Sequence, residues 1–116
     1  MFVEDENSVR AFGVRALKKK GFNVVSCSSG ENALEQKGPF DLMVTDMVMP
    51  GISGTELASQ MKKRQSDIKI IIASGYSEEM ARKELSGDES FTFLAKPYSL
   101  GDLTQKVFEV LNGSDK

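Results

Sequence analysis

Phe40-Asp41-Leu42-Met43-Val44-Thr45-Asp46 (residues 40–46) is a mostly apolar run that closes on a carboxylate. It is too short for a typical helix, and Gly38-Pro39 and Pro50-Gly51 punctuate it on either side, so it reads as a buried strand. Ending such a strand on an acid is costly unless partners meet the charge. The same pattern recurs elsewhere. Met1-Phe2-Val3 runs into Glu4-Asp5, Ile68 to Ala73 into Ser74, and Phe91 to Ala95 into Lys96. If these four runs are parallel strands of one sheet, one edge gathers three carboxylates, a hydroxyl and an ammonium. In open α/β sheets ligands bind just outside the carboxyl ends of the strands, so a site is expected there.

The segments between the runs carry helical signals. Residues 7–20 put Val9, Phe12, Gly13, Ala16 and Leu17 on one face and close on Lys18-Lys19-Lys20-Gly21, a basic stop followed by glycine. Phe22 to Cys27 reads as a further strand. Ser29 is placed to cap a short helix over 30–37, with Asn32 as its third helical residue, and Gly38-Pro39 ends it. A loop over Pro50 to Gly54 leads to a helix over 55–64 that closes on Lys62-Lys63-Arg64. Ser77 offers a cap for a helix over 77–86, and Gly87-Asp88-Glu89 turns the chain into the strand at 91–95. Leu100, Leu103, Val107, Val110 and Leu111 mark the last helix. Five strands alternating with five helices imply a parallel sheet covered on both faces. Only Met1 to Val3 precede the first acids, fewer than the roughly five residues of an ordinary strand. A domain over 1–116 cut from a longer protein would begin in this way.

Composition narrows the chemistry. The chain has 116 residues, 40% hydrophobic and 28% charged, which suits one domain with a real core. A net charge of −2 argues against direct nucleic-acid binding. The single cysteine, Cys27, forms no internal disulfide, so a reducing, cytoplasmic compartment is expected. No apolar stretch reaches the roughly 20 residues of a membrane span. There is no histidine, which removes histidine acid–base catalysis, Ser-His-Asp hydrolysis and most zinc sites.

The strand-end residues form a coherent set. Glu4, Asp5 and Asp46 would repel one another, and a divalent cation relieves that repulsion. Hard oxygen donors in small number suit Mg²⁺. Asp46 is also a possible nucleophile, because carboxylates form acyl phosphates. Lys96 precedes Pro97, an X-Pro bond open to the cis form. Its ammonium can reach a carboxylate or a phosphoryl oxygen, and Ser74 offers a hydroxyl donor. Nucleophile, metal and cation are what phosphoryl transfer needs. No phosphate-cradling glycine loop is present, so the donor is expected to be a protein or a small phosphorylated molecule.

These residues resemble the receiver domain of two-component phosphorelays over essentially the full length. The likeness is carried by Val3-Glu4-Asp5-Glu6, Asp41 to Gly54, Ile71 to Tyr76 and Phe93 to Tyr98. The stretches from Val3 to Leu17 and from Phe93 to Leu103 are similar to the terminal receiver of CckA-type hybrid histidine kinases. The resemblance implies a flavodoxin-like, CheY-like fold with strand order 2-1-3-4-5. It implies Asp46 as phosphoacceptor. Asp5 and Asp46 would hold Mg²⁺ directly, Glu4 through water, and Val48 by its backbone carbonyl. Lys96 would pair with the phosphoryl group, Ser74 would bond it after rearrangement, and Phe93 would be the switch aromatic. Strand alternation puts Phe93 and Leu94 on opposite faces of the sheet.

Partners would be a histidine kinase phosphotransfer domain and a histidine phosphotransfer protein. The readout surface would comprise helix 77–86, the strand at 91–95 and the last helix. The domain would not be an enzyme beyond its own phosphorylation and dephosphorylation. It would be cytoplasmic, tethered to the inner membrane only through a parent kinase. The resemblance implies that Val48 and Tyr76 occupy positions that tune dephosphorylation in the family, and an apolar Val48 cannot orient a water, so slow loss of phosphate is expected. Two other classes compete: a small phosphatase with an aspartyl nucleophile, and a flavodoxin-like flavin-binding module. Met47-Val48 supplies no second acid for the first, and the acidic edge opposes phosphate binding for the second.

Overall fold

The computed structural model describes residues 1–75 and 91–112. Five strands, β1 (Phe2–Val3), β2 (Ser26–Cys27), β3 (Leu42–Asp46), β4 (Lys69–Ser74) and β5 (Phe91–Ala95), form one parallel sheet in the order β2-β1-β3-β4-β5. Four helices accompany them among the described residues: α1 (Asn7–Lys19), α2 (Gly30–Leu34), α3 (Gly54–Arg64) and α4 (Leu100–Leu111). The helix expected over 77–86, its Ser77 cap, Tyr76 and the turn at 87–89 lie outside the described residues.

Both faces of the sheet are buried, so its inner strands are apolar without a polar side. Period-two alternation divides them. Val3, Met43, Ile70, Ile72 and Phe91 pack under α2 and α3 with Ala33, Leu57, Ala58 and Met61. Phe2, Val44, Ile71 and Leu94 pack under α1 and α4 with Leu17, Leu103 and Val107. Burying one such side chain contributes about 1.5–3 kcal/mol.

β3 opens at Leu42, two residues after the expected Phe40, and three further expectations change. β2 is two residues long, not six, with Ser26 and Cys27 laddered to Phe2 and Val3. The second helix stops at Leu34 instead of continuing to 37. Arg64 caps its end from α3, with Nη2 donating to the Leu34 carbonyl at 2.8 Å and Nη1 to the Gln36 carbonyl at 3.1 Å. Phe12 is 57% exposed. α1 lies closest to the sheet at Gly13, where a Cβ would strike the Phe2 ring, so the buried stripe centres on Gly13 and Leu17 and Phe12 turns away. Both Gly38-Pro39 and Lys96-Pro97 are cis.

Two local devices hold the lower and upper ends of β3. Below it, the Gln65 amide bonds the Phe40 backbone twice, with Oε1 accepting from N–H at 2.9 Å and Nε2 donating to the carbonyl at 2.6 Å. Above it, the Gly54 N–H donates to the Met47 carbonyl at 2.8 Å, folding the β3–α3 loop tightly back. A Cβ on Gly54 would fall on the Asp46 carbonyl oxygen, which is backbone and cannot swing aside. Gly54→Ala is therefore expected to destabilise the domain by about 1–3 kcal/mol. Gly101→Ala meets only the Ser99 hydroxyl at 3.7 Å and should be neutral or slightly stabilising. Urea denaturation followed by circular dichroism checks both.

Candidate functional site

The register of the sheet assembles the site. Asp46 pairs with Ala73 across β3 and β4, and Ser74 pairs with Ala95 across β4 and β5. The ladders continue one step past the strands, with Met47 N–H donating to the Ala73 carbonyl at 2.9 Å and Lys96 N–H to the Ser74 carbonyl at 2.9 Å. Asp46, Ser74 and Lys96 thus sit side by side. They line an open cleft of about 280 Å³ with Met47, Val48, Ala73 and Gly75.

β1 delivers the other two acids. Glu4 is buried, Asp5 exposed and Asp46 buried, and one carboxylate oxygen of each lies within 4.8 Å of the others. Glu4 is tied down by three contacts. Its N–H donates to the Cys27 carbonyl at 3.0 Å, its Oε2 accepts from Glu6 N–H at 3.1 Å, and its carbonyl accepts from Arg10 Nη1 at 2.7 Å. The Lys96 Nζ lies 2.7 Å from Asp46 Oδ1.

The charges respond to this crowding. Burial pushes the Glu4 carboxyl up to about 7, helped by a hydrogen bond with Asp46 and by its charge, against the Glu6 N–H and Lys96. Burial alone would lower the Lys96 pKa. The hydrogen bond and charge of Asp46, with Glu4 and Asp5, outweigh it and hold the ammonium above its ordinary value. Burial, then the charges of Glu4 and Asp46, push the Tyr98 phenol up to about 12. Three carboxylate oxygens within 4.8 Å of one another are all hard oxygen donors, a set that fits Mg²⁺.

Among the described residues, Glu4, Asp5, Asp46, Ser74 and Lys96 gather at this edge with Val48 at its rim, whereas Phe93 does not. Phe93 is half-buried, packs on the α2–α3 side and faces away from Leu94, as alternation required. Val48 stands 67% exposed at the rim of the cleft. Sequence reasoning missed Tyr98, Arg10 and Glu31. Glu31 reaches from α2 to accept from Ile52 N–H at 3.1 Å, steadying the loop after Asp46. Its signal is absent locally, because the contact spans 21 residues.

Residues 1–108 match the response regulator receiver domain family. Sensor kinase CckA of Brucella abortus (strain 2308) is 42% identical over 119 aligned positions, which cover 99% of this chain and 13% of that kinase. The chain therefore spans little more than a tenth of that relative's length. The response regulator receiver protein CpdR of the same strain is 34% identical, with 96% of this chain and 94% of that protein covered. Among solved structures, the response regulator protein TrrA of Thermotoga maritima in complex with Mg(2+)-BeF superposes with a TM-score of 0.80 at 30% identity, covering 94% of this chain and 95% of that one. These matches favour a receiver over a phosphatase or a flavin-binding module. No helix among the described residues is long and apolar enough to cross a membrane.

The raised Glu4 pKa sets the sign of a pH effect. Between its ordinary value of 4.5 and about 7, the folded chain holds a proton that the unfolded chain releases. That stabilisation is complete below about 4.5 and is lost as pH rises through about 7. In metal-free buffer, Glu4→Gln is expected to gain stability relative to the unsubstituted chain as pH rises from 5 to 8. Saturating Mg²⁺ should shrink the difference. Urea midpoints across the range read both effects.

Proposed function

The chain belongs to the response regulator receiver domain family of two-component systems, and on that footing we propose that it accepts a phosphoryl group on Asp46 from a phosphohistidine of a partner protein. One observation carries the reading. A carboxylate at the end of a buried strand holds a lysine ammonium at 2.7 Å, with two further carboxylates within 4.8 Å. Asp46 supplies the attacking oxygen. A P–O bond forms to it as the P–N bond to the partner's imidazole breaks, and the electron pair leaves with the nitrogen. Lys96 meets the charge added at Asp46, and the Ser74 hydroxyl donates to a phosphoryl oxygen. Phe93 follows that change as the switch aromatic.

Asp5 and Asp46 would hold Mg²⁺, with Glu4 acting through water and the Val48 carbonyl completing the protein donors. Bound there, the ion neutralises charge on the transferring phosphoryl oxygens. The Mg(2+)-BeF complex of TrrA supports this choice of ion. The identity with CckA supports a place at the end of a hybrid histidine kinase, cytoplasmic and tethered to the inner membrane through that parent. In that place the partners are the kinase phosphotransfer domain and a histidine phosphotransfer protein. The coding sequence upstream of Met1 checks this: a kinase core is expected there.

Incubation with acetyl phosphate and Mg²⁺ is expected to yield acid-labile phosphate on the chain. Asp46→Asn should abolish it, and chelation should suppress it. Unlabelled Asp46 in the unsubstituted chain would refute the proposal. In the same assay the phosphorylated chain should decay slowly, because exposed Val48 offers no hydrogen bond to a water. Val48→Asn should speed the decay several-fold.

A further inference from the structure

Three of the four described helices begin at a serine whose hydroxyl accepts from the third helical residue: Ser29 from Asn32, Ser53 from Glu56 and Ser99 from Asp102. α1 differs. Its N-cap, Glu6, makes no side-chain capping bond, and no acid lies in its first turn. Yet α1 follows directly from the loop that carries Glu4 and Asp5, and β1 secures that loop with only two residues.

Arg10 meets this need from inside the helix. Its Nη1 donates to the Glu4 carbonyl at 2.7 Å, six residues back, and its Nη2 donates to Asn7 Oδ1 at 2.5 Å. A guanidinium holds its donors in one rigid plane, so the two bonds together fix both the distance and the angle between loop and helix. Among the described residues, no other side chain bonds the Glu4 carbonyl.

We propose that Arg10 is a positioning residue, a clamp on the β1–α1 loop that keeps the Glu4 and Asp5 carboxylates converged on Asp46 and so sets the affinity of this edge for a divalent cation. The inference rests on the metal-holding reading given above. Groups that orient metal ligands typically govern affinity by ten- to a hundred-fold.

The sign of the effect separates a clamp from a mere charge. A guanidinium near a cation site repels the cation, so if Arg10 acted by charge alone, removing it would tighten Mg²⁺ binding. Removing a clamp weakens it. The test is calorimetric titration of the full chain with Mg²⁺, for the unsubstituted protein, Arg10→Ala, Arg10→Lys and Asn7→Ala, with urea midpoints in metal-free buffer alongside. Arg10→Ala is expected to raise the Mg²⁺ Kd by about tenfold, while its metal-free urea midpoint stays close to that of the unsubstituted chain. Arg10→Lys should remain weakened, since a point ammonium does not reproduce the fork. Asn7→Ala should shift the Kd in the same direction by a smaller factor. An unchanged or tighter Kd in Arg10→Ala, or full recovery in Arg10→Lys, overturns the clamp. If Arg10→Ala does not fold, an unchanged Kd in Asn7→Ala overturns it. Failure of the unsubstituted chain to bind Mg²⁺ overturns instead the reading on which the clamp rests.

Discussion

The Lys96 ammonium, 2.7 Å from the Asp46 carboxylate, allows an acid only 5% exposed to end a strand that is buried along its whole length. A carboxylate in that position without a partner would be strongly destabilising, because desolvation costs several kcal/mol per ion. The partner comes from 50 residues away, at the end of β5. Its arrival depends on the register of two successive strand pairs and on the Lys96 N–H extending the ladder to Ser74. A one-residue slip in either pair would turn these side chains to other faces. The core and the site are therefore not separate problems. The alternation that sorts Met43 from Val44 between two apolar layers also aims Asp46.

Around that pair the edge is rich in acids. One ammonium faces three carboxylates, and burial, with the hydrogen bond and charge of Asp46 behind it, lets Glu4 hold its proton to about pH 7. Such an edge has two ways to relax, by taking up a proton or by taking up a metal. The loops that surround it are fastened from outside, by Arg10 on the β1 side and Glu31 on the β3 side. The edge is thus held in shape from both sides.

Much of this was legible in the sequence because the informative feature is one-dimensional. An apolar run that stops at Asp46 or Lys96 marks both a strand and its end, and parallel alternation puts the ends together. The Ser29 cap with Asn32 was equally readable, since it spans three residues. What could not be read depends on distant partners. β2 ladders to β1 at only two positions, and Phe22 to Val25 carry no sign of it. Phe12 looked like a core residue until Gly13 brought the helix down on the Phe2 ring. Arg10 gives only a negative hint, the missing cap at Glu6, because its key bond reaches the backbone and not a recognisable side-chain pair.

Gln65 closes a different kind of gap. By offering an acceptor and a donor to the Phe40 backbone, its amide imitates a neighbouring strand just where the chain approaches β3. A backbone group left unpaired in a part-buried position is costly, and here one side chain meets two of them. The glutamine that follows α3 therefore ties the end of that helix to the approach to β3, and both Phe40 backbone groups find their partner within the chain.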